Sequence, residues 1–261
     1  MSRRRPSEHE RAAPVRTGGR LLLIVIIATT GIACTTSSPK PSPSDDRARA
    51  VTLLRSQCDA GSWRDCVYLA ALYHEGRGVP RDHAQGVLLV RGPCLQQHYP
   101  PACVSLGRAY MRGDGIDRDW VKGAAIFREA CDAGDLYGCT LLGEAHAKGQ
   151  GVPKDEVRAY ALAKKACDGH VPQGCGELGW FTLKGMGVAR DPATAARLFR
   201  EACDAGDLQA CGELATMYQR GDGIQQSDVE ATALLRRACD RGSGQACARL
   251  TDPTRADKSP D

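Results

Sequence analysis

The stretch Cys131-Asp-Ala-Gly-Asp-Leu-Tyr-Gly-Cys139-Thr-Leu-Leu-Gly-Glu-Ala-His-Ala-Lys-Gly149-Gln-Gly151-Val-Pro-Lys-Asp155 decides the fold, because its landmarks recur along most of the chain. Twelve of the 13 cysteines form six pairs: Cys58 with Cys66, Cys94 with Cys103, Cys131 with Cys139, Cys167 with Cys175, Cys203 with Cys211, and Cys239 with Cys247. Partners stand eight residues apart, nine in the second pair, and pairs recur every 36 residues with one extra residue around Cys94. Such a period marks a solenoid of repeated units and not a single globular core. Pairing inside each repeat predicts one disulfide per repeat and an oxidising compartment. Metal-binding or free thiols are the alternatives, but zinc pairs are usually spaced more tightly and no Cys-x-x-Cys redox or haem motif occurs.

Counted from the second cysteine of each pair, three residues on is always leucine: Leu69, Leu106, Leu142, Leu178, Leu214 and Leu250. Four on is small in all but the last unit (Ala70, Gly107, Gly143, Gly179, Ala215), and seven on is Tyr73, Tyr110, His146, Thr182 or Tyr218. Offsets 0, 3, 4 and 7 share one helical face, so these side chains are expected to pack inward together. The small residue lets a neighbouring helix approach. Gly76, Gly113, Gly149, Gly185 and Gly221 then suit left-handed C-caps. Asp82, Asp119, Asp155, Asp191 and Ser227 suit the N-caps of a second helix. That helix ends at the next pair's first cysteine, so each disulfide would staple the turn between repeats. Three departures stand out. Arg91-Gly92-Pro93 should end its helix early, Gly169-His170 shifts the turn glycine, and Pro253 cuts the last helix short.

The segments Leu-Gly-x-x-Tyr, Gly-x-Gly-Val/Ile-x-x-Asp and Ala-Cys-Asp-x-Gly together resemble the Sel-one-like repeat (SLR), a relative of the tetratricopeptide repeat. The resemblance covers residues 46–251 and implies an all-α solenoid of helix pairs. The Cys-x7-Cys form also resembles the cysteine-rich Hcp-type bacterial proteins, often catalogued as penicillin-binding β-lactamases. It is similar as well to a mitochondrial factor for cytochrome oxidase assembly. The Hcp-type likeness implies a β-lactamase-like hydrolase as the alternative function.

Ahead of the repeats, residues 1–33 combine six arginines with the apolar run Leu21–Ala28 and small residues up to Ala33. A basic head, a short apolar stretch and a small-residue site describe an export signal. The apolar run is shorter than the roughly 20 residues a span requires. Gly31-Ile-Ala-Cys34 resembles a bacterial lipobox, with Gly31 in place of the usual aliphatic residue. The resemblance implies that Cys34 carries the lipid. A cleaved signal without lipid and an uncleaved anchor remain alternatives. Residues 34–45 are Pro/Ser-rich and read as a flexible tether, and 252–261 as a disordered tail. The leader holds six of the 35 basic and two of the 31 acidic residues, leaving 29 of each. The chain's formal charge of +4 thus belongs to the leader, and nothing in it points to nucleic acid.

Catalytic signatures are sparse. Serine-type β-lactam hydrolysis needs Ser-x-x-Lys with partner motifs, and the one instance, Ser37–Lys40, lies in the tether without Lys-Thr-Gly or Ser-Asp-Asn. His74, His83, His98, His146 and His170 are scattered in sequence, so no catalytic residue, metal site or cofactor is assigned. The leading expectation is a non-enzymatic, exported, lipid-anchored scaffold in the bacterial envelope that binds a protein or peptide. By analogy with tetratricopeptide geometry the first helices line the concave side. The candidate binding residues there are Arg108, Glu144 and Trp180, five residues after the cysteine, and Arg112, Lys148, Lys184 and Arg220, nine after it.

Overall fold

The computed structural model describes residues 43–251. The predicted signal, Cys34, the Ser37–Lys40 motif, nearly all of the tether and the tail lie outside the described residues. The described part consists of twelve α-helices: α1 Pro43–Asp59, α2 Trp63–Glu75, α3 His83–Leu95, α4 Pro100–Arg112, α5 Trp120–Asp132, α6 Leu136–Lys148, α7 Glu156–Asp168, α8 Pro172–Lys184, α9 Pro192–Asp204, α10 Leu208–Arg220, α11 Asp228–Asp240 and α12 Gly244–Thr251. Even-numbered helices are the first of each pair and odd-numbered ones the second. Helix α1 begins at Pro43, within the stretch read as tether; proline is at home in a first helical turn.

The helix boundaries follow from local chemistry. Asp82, Asp119, Asp155, Asp191 and Ser227 each accept a hydrogen bond from the backbone N–H three residues on, at 2.9–3.3 Å. These bonds occupy amides that have no partner inside the helix. The bond from the Lys122 amide, helped by the Lys122 side chain, lowers the Asp119 pKa, and the Thr194 hydroxyl and then the Thr194 amide lower that of Asp191. The first helices α2, α4, α6, α8 and α10 end on left-handed glycines at positions 76, 113, 149, 185 and 221.

The inward face is as read from the sequence. Leu69, Leu106, Leu142, Leu178 and Leu214 are buried with the cysteines that precede them. Leu106, Leu142, Leu178 and Leu214 join clusters with Phe127, Phe199 and buried alanines on the second helices. A Cβ at Gly107 would fall 2.5 Å from the Phe127 ring, which is the close approach expected of the small residue. His146 and Thr182 occupy the tyrosine position and are buried there. His146 Nδ1 lies 3.2 Å from the Pro153 carbonyl, and Thr182 donates to the Leu178 carbonyl at 2.7 Å. Where tyrosine is kept, Arg55 donates to the Tyr73 hydroxyl and Arg200 to the Tyr218 hydroxyl.

The six cysteine pairs are disulfide-bonded in the predicted register: Cys58 to Cys66, Cys94 to Cys103, Cys131 to Cys139, Cys167 to Cys175, Cys203 to Cys211, and Cys239 to Cys247. Their Cα atoms lie 4.4–4.7 Å apart. Each bridge joins the end of a second helix to the first turns of the next first helix. The second cysteines Cys66, Cys103, Cys139, Cys175 and Cys211 are buried, as the inward face requires. Cys247, on the short α12, is only half-buried, and no described helix follows α12. Small residues beside the bridge permit its proximity: a Cβ at Gly174 would lie 2.5 Å from the Ala166 Cβ. In the chain-entropy description, closing so short a loop contributes about 2–3 kcal/mol per bridge.

Repeats also touch through their loops. The backbone at Gly151 is left-handed, and a Cβ there would lie 2.0 Å from the Trp120 carbonyl oxygen in the preceding repeat. Gly115, Gly187 and Gly223 make the same contact with His83, Glu156 and Pro192. The first helices of successive repeats also contact one another, α2 with α4 through α8 with α10, whereas the second helices scarcely meet. The first helices therefore form the inner wall of the solenoid.

One expectation needs correction at the turns. Helix α3 does not end early but runs through Pro93 to Leu95. Proline forfeits one amide bond near the helix end, where few bonds remain to be lost, and the disulfide at Cys94 holds the turn. His98 and His170, at φ 50° and 61°, adopt the left-handed conformation that Gly134, Gly206 and Gly242 supply elsewhere.

Gly151→Ala should lower stability by about 2–4 kcal/mol, because it combines backbone strain with a backbone clash. Gly212→Ala, inside α10 with only the Arg249 guanidinium at 3.6 Å, should raise it by about 0.5–1 kcal/mol. Urea unfolding of both variants against the parent protein checks the opposite signs.

Candidate functional site

The inner wall is built from helix faces turned away from the core. Offsets of 2, 5 and 9 residues from the second cysteine fall within about 60° of one another at 100° per residue, opposite the buried stripe. The Arg108 guanidinium on α4 donates to the Tyr137 hydroxyl on α6 at 3.0 Å. Glu144 on α6 is bonded to Lys148 one turn on, at 2.6 Å. Trp180 on α8 is half-buried, packed on the central core and edge-on to Phe181 with ring centroids 5.8 Å apart. Part of its ring remains accessible.

Arg112, Lys148, Lys184 and Arg220 close the last turns of α4, α6, α8 and α10, where a cation complements the carbonyl end of the helix. They are exposed. Lys148 is not a free cation, since it holds Glu144. The charges of Lys184 and Arg220 are felt at Glu213.

The structure adds a row that sequence reasoning passed over. Glu177 and Glu213 stand two residues after their cysteines, on the same wall. Burial pushes the Glu177 carboxyl up to about 7, helped by the negative charge of Glu144 and, more weakly, of Asp207 and Glu213, and opposed by Lys148. Burial also raises Glu213, against the attraction of Arg249, Lys184 and Arg220. Arg249 on α12 closes this end of the wall. It donates to the Gly212 carbonyl at 2.9 Å and to Thr216 and Gln219 at 3.0 Å. The wall thus carries glutamates on three successive first helices beside a row of helix-end cations. The signal was available in the offset of two, which lies on the same face as five and nine.

The histidines are less scattered in space than in sequence. His74 lies in the last turn of α2 and His83 begins α3, and the loop between them brings their Nδ1 atoms to 2.9 Å. Burial lowers the His74 pKa, with His83 acting in the same direction and Asp114 against it. His98 and His170 serve the turns, and His146 the core. Cys167, Cys175 and Glu201 also gather within 4.8 Å of one another. Their sulfurs are spent in a disulfide, and the thiolate is the form that ligates a metal.

Glu177 makes stability depend on pH. An unfolded glutamate ionises near 4.5, and the folded one near 7. Between those values the unfolded chain releases a proton that the folded chain keeps, so stability falls as pH rises through the window. Glu177→Gln should flatten that slope and stabilise the protein at pH 8 by on the order of 1–3 kcal/mol. Thermal midpoints of both proteins between pH 4 and 8 decide it.

Comparison with known proteins places this architecture. The Sel1 repeat family matches at residues 65–89, 100–135, 136–170, 172–207 and 208–243, well over half of the chain. A search of curated proteins finds no match. Among solved structures, a protective antigen of uropathogenic Escherichia coli with an SLR fold is 30% identical at a TM-score of 0.57, over 79% of this chain and 44% of that one. The chain therefore spans under half the length of that relative. A Sel1 repeat protein from Oxalobacter formigenes is 24% identical at a TM-score of 0.63, over 83% of this chain and 89% of its own. The Helicobacter pylori cysteine-rich protein B is 28% identical over 48% of this chain and 94% of its own, at a TM-score of 0.39, too low to carry an argument. With its helix pairs, caps and turn glycines recurring at the period of these matches, the chain belongs to the Sel1 repeat family.

Proposed function

We propose that this protein is an exported, lipid-anchored scaffold that binds a protein or peptide along the inner wall of its solenoid. The observation that carries the reading is the wall itself. A half-exposed tryptophan stands between aligned rows of glutamates and helix-end cations, on helices fixed by disulfides at both neighbouring turns. Aromatic anchors flanked by charge are the usual make-up of a binding hot spot. Rigid helices lower the ordering cost of capturing a flexible segment. The two charged rows suit an extended segment that carries both signs, with Trp180 supplying the apolar contact.

Six disulfides point to an oxidising compartment outside the cytoplasm. None of the described helices is long and apolar enough to cross a membrane. The likeness of Gly31-Ile-Ala-Cys34 to a lipobox supports a lipid on Cys34 as the anchor, with the Pro/Ser-rich segment as spacer.

Two measurements test the proposal. Partners are captured from envelope extract with the wild-type protein, and their binding kinetics are then followed on variants. Trp180→Ala should weaken capture by more than about 1 kcal/mol while circular dichroism stays unchanged. Charge reversal at Lys148 and Lys184 should chiefly slow association. Normal binding by a folded Trp180→Ala variant would move the site off the inner wall. For anchoring, Cys34→Ser should release the protein from the membrane fraction or block its processing. Unchanged membrane association, with no fatty acid on the wild type, would point to an uncleaved anchor.

A further inference from the structure

The outer face of α3 departs from that of every other second helix. Its inward side carries Val87, Val90 and Cys94 in the core. On the opposite side Leu88 and Leu95 stand two turns apart and are 59% and 50% exposed. Arg91 lies between them, also exposed, and spacings of three and four put all three side chains on one stripe. Where Leu95 stands, the other units carry Asp59, Asp132, Asp168, Asp204 and Asp240. Where Gly92 stands, the later second helices carry the charges of Glu129, Lys165, Glu201 and Arg237. Helix α3 contains no acidic residue, whereas α5, α7, α9 and α11 each contain at least two. The stacking of repeats therefore does not call for this apolar, acid-free face.

The place of the face in the chain says what covers it. The exposed leucines among the described residues are Leu53, Leu88 and Leu95, all on α1 and α3, at the end of the array that leads to Cys34. Residues 34–42 span at most about 30 Å when fully extended. A lipid on Cys34 then keeps Pro43 within that distance of the bilayer, a step that rests on the anchoring reading given above. Two leucines are too few for a stable interface with a second protein, which buries roughly 1,200–2,000 Å². A face already tethered beside a bilayer needs little affinity of its own, because the tether supplies a high local concentration.

We propose that the outer face of α3 rests on the bilayer to which the chain is anchored, with Leu88 and Leu95 entering the headgroup boundary and Arg91 meeting lipid phosphate. The stripe suits that boundary. Leucine side chains gain from leaving water there, and an arginine keeps its guanidinium at headgroup level while its stem lies along apolar surface. The absence of carboxylates on α3 avoids repulsion from anionic lipid. Since the first helices form the inner wall and α3 lies in the outer layer, this contact leaves the wall open to a partner.

The chain from Pro41 onward forms a compact unit of its own, so the test uses residues 34–261 in fully oxidised form. Cys34 is then the one cysteine outside the six bridges, and its thiol is coupled to a maleimide lipid in nanodiscs of phosphatidylethanolamine and phosphatidylglycerol. A nitroxide-headgroup lipid is included, and leucine and valine methyl signals are followed by NMR. The signals of Leu88 and Leu95 should be lost, and those of Leu183 on α8 and Leu234 on α11 retained. A double variant, Leu88→Ala with Leu95→Asp, installs the residues found at Ala125 and Asp132, and circular dichroism checks its fold. In it the selective loss, now read at Leu89 and Val90, should disappear. The attachment is chemical, so the result stands whether or not the cell acylates Cys34, which fatty-acid analysis of the wild type decides separately. Uniform loss of signals, loss centred on Leu183, or selective loss at Leu89 and Val90 in the folded double variant would each overturn the proposal. Retention of Leu88 and Leu95 would overturn it too, and would leave the face to a protein partner.

Discussion

Successive repeats meet where the loop after each first helix lies on the opening turn of the previous second helix, and at that point there is no space for a Cβ. The contact at Gly151 is backbone against backbone, so it sets the distance between repeats without relying on side-chain packing. The rest of the architecture accommodates that distance. Alanines and glycines line the helix interfaces because larger residues would push the repeats apart. A core made so largely of small side chains buries less apolar surface per residue, and surface buried is what stabilises a fold. The disulfides offset that deficit by restricting the unfolded chain.

This division of labour determines where binding chemistry can lie. Core-facing offsets are committed to packing, and the loops to spacing. The inner wall, at offsets of two, five and nine, is free to vary, and there the repeats differ: Tyr68, Ser105, Leu141, Glu177, Glu213 and Arg249 all occupy one place. Repetition supplies the scaffold, and the differences between repeats supply the surface.

The fold was legible because its determinants are local and periodic. Caps, turn glycines and cysteine spacing each act within a few residues, so the 36-residue period exposes them directly. The extent of α3 was misread because Pro93 stands only two residues before the helix's last residue, where a lost amide bond matters little. The site was less legible because its properties arise between repeats. Glu177 titrates abnormally through burial and the charges of Glu144 and Glu213 on neighbouring helices, none of which is visible in one repeat. The pairing of His74 with His83 depends on Gly86, a residue whose role is to be absent from the space the ring fills.

The shortness of the six covalent loops has a consequence for biogenesis. A chain delivered N-terminus first into an oxidising space presents its cysteines in order, and each meets its correct partner eight or nine residues later. Every bridge can then close before the next pair arrives, so mispairing is suppressed by the timing of delivery and shuffling by an isomerase becomes largely dispensable. The same locality makes the array modular: a repeat can be duplicated or lost together with its own bridge, leaving no orphaned thiol behind.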